Sequence, residues 1–158
     1  PPAPSALPRN STQDEKPDPK GAKGYFDKGN RYLDYEQYEE AISRFDIAIR
    51  LNRSSGIAFN QRGFSYLALS QYQRALDDFD EAIRLEPQVS VAYNNRGSTY
   101  HGLGRHERAI QDFDEAIQLD PRFALAYNNR GIAYEVIDQP QKAKADLDKA
   151  CQLDKEYC

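Results

Sequence analysis

Residues 90–123 read SVAYNNRGSTYHGLGRHERAIQDFDEAIQLDPRF, and this stretch decides the fold. Its first half sets Tyr93, Gly97 and Tyr100 at helical spacing. Its second half sets Ala109, Phe113, Ala116 and Ile117 at the i, i+4, i+7 and i+8 positions of one face. The pattern predicts two short amphipathic helices. Gly102 and Gly104 place poor helix formers where the chain must turn between them, and Pro121 after Leu119 stops the second.

The same letters recur along the chain in one register. Gly29, Gly63, Gly97 and Gly131 are joined by Tyr32, Tyr66, Tyr100 and Tyr134, by Ala41, Ala75, Ala109 and Ala143, and by Ala48, Ala82, Ala116 and Ala150. A further column reads Phe45, Phe79, Phe113 and Leu147. A repeat of this size predicts a stacked solenoid instead of one globular core. Glycine inside a helix costs about 1 kcal/mol against alanine, so four in register point to a place where two helices approach too closely for a side chain.

These residues resemble the tetratricopeptide repeat family, whose aromatic, Gly, Tyr, Ala, Phe, Ala, Pro order is matched four times. The repeats fall at about 22–55, 56–89, 90–123 and 124–157, which makes residues 22–158 the repeat domain. The tryptophan-type position holds Tyr25, Phe59, Tyr93 and Tyr127, and Lys28, Arg62, Arg96 and Arg130 replace the usual Leu before the Gly. Pro87 and Pro121 keep the family proline, while Arg53 and Lys155 stand at its place in the outer copies. The resemblance implies an all-α, right-handed superhelix with a concave groove lined by the first helix of each repeat, and it implies binding without catalysis.

Residues 1–21 differ from the rest. Six of the nine prolines lie there among polar and charged residues, which predicts a flexible, partly extended tether or a segment appended to the natural chain. No apolar stretch approaches the length of a membrane span. The net charge is −4, and the first twenty residues carry equal numbers of acids and bases, so the excess charge belongs to the repeats. No basic face speaks for nucleic acid. No phosphate loop, nucleophile elbow or paired-carboxylate constellation stands out, and no cofactor is implied. His101 and His106, the only histidines, straddle a turn, so a packing or surface role outweighs a metal site.

The family's groove positions fall here on Asn60, Asn94 and Asn128 and on Gln61, Asn95 and Asn129. A carboxamide offers an acceptor and two donors, and a ladder of them would hold an extended peptide by its main chain. Ile57, Val91 and Leu125 add apolar surface at the second position and Phe64 or Ile132 at the ninth, and His101 stands at the twelfth. Some of these side chains would equally serve as packing between helices. The clamp by which chaperone-binding members hold a C-terminal carboxylate would map onto Phe26, Asn30, Gln61, Val91 and Asn95. Only Asn30 is kept and all three cations are missing, so that ligand is not expected.

Arg62, Arg96 and Arg130 need partners or solvent. Asp46, Asp80 and Asp114, with Asp78, Asp112 and Asp146 nearby, predict structural ion pairs between adjacent helices. A row of arginines binding phosphate or carboxylate is the functional alternative.

Cys151 stands in the column of Ile49, Ile83 and Ile117, where a buried thiol would serve, and Cys158 is the last residue. Seven residues of continuous helix rise about 10.5 Å, beyond the roughly 7 Å a disulfide spans. A bridge requires the helix to end near Leu153 and the tail to fold back. If formed, it favours a periplasmic or secreted protein, and analogy with similar repeats suggests the bacterial cell envelope; a cytoplasmic location is the alternative. Lys144 in place of Ile42, Leu76 and Ile110, and Leu147 in place of Phe, read as a polar self-cap that favours a monomer over a homodimer. The expected function is an adaptor that binds a peptide or protein segment in its groove. The rivals are a scaffold assembling through its ends and an accessory domain of a larger protein.

Overall fold

A computed structural model describes residues 21–158. The expectation of a flexible segment at 1–21 therefore lies, but for Gly21, outside the described residues. The regular elements described are α1 (Ala22–Asp34), α2 (Tyr38–Leu51), α3 (Gly56–Ala68), α4 (Tyr72–Leu85), α5 (Ser90–Gly102), α6 (His106–Leu119), α7 (Ala124–Val136) and α8 (Pro140–Leu153). A short 3-10 turn, Lys155–Tyr157, follows. The architecture is an all-α solenoid of helix pairs, and no described helix is long and apolar enough to cross a membrane.

The turn inside each pair is built the same way. Glu36, Ser70, Gly104 and Asp138 stand in one column, and all four adopt positive φ, between 56° and 71°. Only Gly104 does so without a Cβ penalty. Hydrogen bonds hold the shape: the Ser70 amide donates to the Leu67 carbonyl at 2.8 Å, and the Gln71 amide reaches back to the Tyr66 carbonyl at 2.8 Å. The other three turns repeat the bond to the column tyrosine, satisfying carbonyls that a helix end would otherwise leave bare. Between pairs, Ser55 caps α3 by accepting the Ala58 amide at 3.3 Å, and Pro140 occupies the first turn of α8, where its missing N–H costs nothing.

Inside each pair the glycine column meets the aromatic column. A Cβ built on Gly29, Gly63 or Gly97 would lie 2.5 to 2.8 Å from the ring of Phe45, Phe79 or Phe113, and one on Gly131 would lie 2.9 Å from Leu147 Cγ. The rings fill the space the glycines vacate, and Phe45, Phe79 and Phe113 are fully buried with Ala41, Ala75 and Ala109 beside them. Neighbouring pairs add the next layer: Ala109, Ile110 and Phe113 of α6 pack on Ala133 of α7. Each pair thus buries its face only against the pairs beside it, which is the logic of a solenoid.

Candidate functional site

The first helices touch across pairs, α1 against α3, α3 against α5 and α5 against α7, whereas among the described residues no second helix reaches the next second helix. The inner face is therefore built by α1, α3, α5 and α7. On these helices, Ile57 and Val91 stand 53% and 42% exposed, and Phe64 and Ile132 are each 39% exposed. Leu125 and His101 are half-buried on the same helices. Where α3, α4 and α5 meet, Ile57, Asn60, Val89 and Ala92 line an apolar recess of about 110 Å³ with Glu86 at its side.

The carboxamide columns divide. Gln61 Nε2 donates to Asn30 Oδ1 at 3.1 Å, Asn95 Nδ2 to Asn60 Oδ1 at 3.2 Å and Asn129 Nδ2 to Asn94 Oδ1 at 3.0 Å. Each rung ties a first helix to the first helix before it. Asn60 and Asn94 are buried, 6% and 2% exposed, which corrects the expectation that both columns offer open carboxamides to a ligand. The fifth position turns into the seam between helices, where a buried polar oxygen needs a donor and the next repeat supplies one. The sixth position, Gln61, Asn95 and Asn129, stays half-buried and keeps an edge towards solvent. Asn128 makes no side-chain hydrogen bond among the described residues.

The arginines lie beside this face, locked from below. Arg62 holds Asp78 at two points, 2.8 and 2.6 Å, and Asp46 of the preceding pair at 2.6 Å. Arg96 repeats this with Asp112 and Asp80, and Arg130 with Asp146 and Asp114. The two-point partner is the aspartate of the same pair, and the aspartate of the preceding pair takes the remaining Nη1. The guanidinium planes also lie over rings, Arg62 5.5 Å from the Phe59 centroid, Arg96 5.6 Å from Tyr93 and Arg130 5.5 Å from Tyr127. Burial opposes the Arg62 charge, but the bonds to Asp78 and Asp46 outweigh it and push its pKa up. For Arg96 the Asp112 bond alone exceeds the cost of burial. Burial pushes the Asp112 carboxyl up, against the pull of Arg96. Each of these arginines thus directs three of its five N–H donors at aspartates.

At the C-terminus, α8 ends at Leu153 and the Lys155–Tyr157 turn folds back on α7 and α8. Cys151 and Cys158 are joined by a disulfide, their Cα atoms 4.7 Å apart. Lys144 pairs with Asp148 one turn on, at 2.6 Å, leaving a polar outer edge. No three His, Cys, Asp or Glu side chains gather to hold a metal among the described residues. The turn beside α5 carries a feature that spacing alone did not reveal, the contact of His101 with His106.

The fold has counterparts. The tetratricopeptide repeat family matches residues 56–89 and 90–123, and a second form of the same repeat matches 113–145. Among solved structures, MamA is similar at 27% identity, with 88% of this chain and 81% of that chain covered and a TM-score of 0.79. YrrB, described as a TPR protein with an unusual peptide-binding site, is 29% identical over 87% of this chain and 71% of its own, with a TM-score of 0.72. The first TPR of Spaghetti (RPAP3), bound to the HSP90 peptide SRMEEVD, shares the fold at 23% identity over 79% of this chain and 99% of its own, with a TM-score of 0.73. No curated protein matches the sequence. Family matches, the column pattern and the helix pairs agree: the chain belongs to the tetratricopeptide repeat family.

Proposed function

We propose that the chain is a noncatalytic adaptor that holds an extended peptide along the inner face, with residues 22–158 acting as one binding unit. The observation that carries this reading is the set of large apolar side chains, Ile57, Phe64, Val91 and Ile132, left in solvent on the helices that form that face. Covering a fully exposed side chain of this kind contributes about 1.5 to 3 kcal/mol, so several anchors acting together with main-chain bonds are needed to exceed the cost of association. The sixth-position carboxamides Gln61, Asn95 and Asn129 flank these anchors and would bond the main chain of the bound segment. The ligand differs from that of the chaperone-binding relative, because Phe26, Val91 and Asn95 stand where cations would hold a terminal carboxylate.

The chain works as a monomer in this reading, its last helix pair covered by the Lys155–Tyr157 turn and edged by Lys144. The disulfide supports an oxidising compartment such as the bacterial cell envelope. One observation bears on assembly as a second reading: Asn128 makes no side-chain hydrogen bond among the described residues. Panning a random-peptide display library on the folded chain, then mapping the selected peptide by NMR shifts, tests the first reading. Shifts confined to α1, α3, α5 and α7 support it; shifts on the second helices, or concentration-dependent sedimentation that the peptide leaves unchanged, favour the alternatives.

A further inference from the structure

The turn between α5 and α6 brings the chain's two histidines together. The Nδ1 atoms of His101 and His106 lie 3.2 Å apart, with ring centroids 4.7 Å apart and planes at 64°. Neutral rings make this contact with a proton on one Nδ1 and a lone pair on the other. Uncharged imidazole is the form that binds metal.

The 3.2 Å spacing is that of an N–H···N hydrogen bond, and it also lies near the ligand spacing of one coordination geometry. A tetrahedral ion with nitrogen ligands at about 2.05 Å sets two of them about 3.3 Å apart, whereas a square-planar ion with bonds of the same length sets neighbours about 2.9 Å apart. The observed separation fits the tetrahedral ion. We propose that His101 and His106 form a Zn²⁺ site, with both Nδ1 atoms as ligands and water in the remaining positions. Binding moves the shared proton from Nδ1 to Nε2 of the same ring, a change of tautomer with no net proton released.

The scaffold beneath the pair is already set. The Gly104 amide donates to the His101 carbonyl at 2.9 Å, the Arg105 amide donates to the Tyr100 carbonyl at 2.8 Å, and Gly104 takes the left-handed conformation without strain. Neither ligand therefore needs a rearranged backbone to meet the ion. The other three turns share this geometry but carry Leu33 and Tyr38, Leu67 and Tyr72, and Glu135 and Pro140 at the two positions, so the pair is confined to the third repeat. With no third protein ligand among the described residues, the site is a weak one.

Calorimetric titration of zinc sulfate into the full chain at pH 7.5, with imidazole NMR signals followed in parallel, tests the proposal. One ion per chain is expected, with both histidine signals shifting together and affinity falling at least tenfold in H101A and in H106Y. The second variant installs the tyrosine of the Tyr38 and Tyr72 column and so retains the fold. Absence of saturable binding below millimolar zinc, or unchanged affinity in both variants, overturns it.

Discussion

Arg96 grips Asp112 at two points, Nε to Oδ2 at 2.9 Å and Nη2 to Oδ1 at 2.7 Å, across sixteen residues of sequence. The contact joins the two helices of one pair, while Nη1 reaches Asp80 of the preceding pair at 2.7 Å. Removing one partner of a pair this buried leaves an uncompensated charge. Arg96→Ala should lower unfolding free energy by about 3 kcal/mol in urea denaturation, and Arg96→Met combined with Asp112→Leu should lose less than the single change. A lysine in place of Arg96 should not rescue, because it cannot bond at two points or stack on Tyr93.

Two glycines in the same kind of helix should respond in opposite directions. Gly97→Ala drives a Cβ to 2.7 Å from Phe113 and 3.1 Å from the Ala109 carbonyl, and should destabilise by about 1 to 3 kcal/mol. A Cβ on Gly24 would meet nothing within 4 Å, and Ala58, Ala92 and Ala126 already occupy its column, so Gly24→Ala should stabilise by roughly 0.5 kcal/mol. Thermal unfolding of the two variants beside the parent checks both signs.

The repeat columns made the solenoid legible in the sequence because each encodes one local requirement. Gly97 needs space, Phe113 fills it and Pro121 stops a helix. The inner face was legible only in part. Asn60 and Gln61 differ by one position on a helix, yet a turn of about 100° separates a buried seam from a solvent edge, and no composition rule fixes which is which. The positive-φ column was hidden for a similar reason: Glu36, Ser70 and Asp138 give no glycine signal, and the tertiary packing of the pair imposes the turn. The His101–His106 contact depends on that turn too.

The Cys151–Cys158 bridge closes a short loop at the end of the last pair. Chain-entropy arguments give such a loop about 2.5 kcal/mol, felt mainly by the elements it pins. Cys158→Ser should therefore lose amide exchange protection in the last turn of α8 and in residues 155–157, while α1 to α4 exchange as before. Uniform loss across all helices would show instead that the solenoid unfolds as one unit.

Histidine ionisation sets a pH dependence. His101 has its pKa lowered in the folded chain, by burial first and then by His106, so the unfolded chain binds more protons as pH falls below the ordinary value of 6.5. The stabilisation is present above that value and is lost as pH drops through the folded pKa. Urea midpoints measured from pH 7.5 to 5 with chelator present should fall, and His101→Gln should flatten the fall. A midpoint that rises on acidification over this range would reverse the assigned sign.

The proposal that a peptide binds the inner face can be tested most directly on the apolar columns. Ile57→Ser, Phe64→Ser, Val91→Ser and Ile132→Ser together remove exposed side chains while leaving the buried Asn60 and Asn94 rungs intact, so helicity should be retained. Fluorescence anisotropy with a library-selected peptide should show at least a tenfold rise in Kd, since each anchor lost removes about 1.5 kcal/mol or more. An unchanged Kd in a folded four-site variant would contradict binding on this face and place the interaction elsewhere on the solenoid.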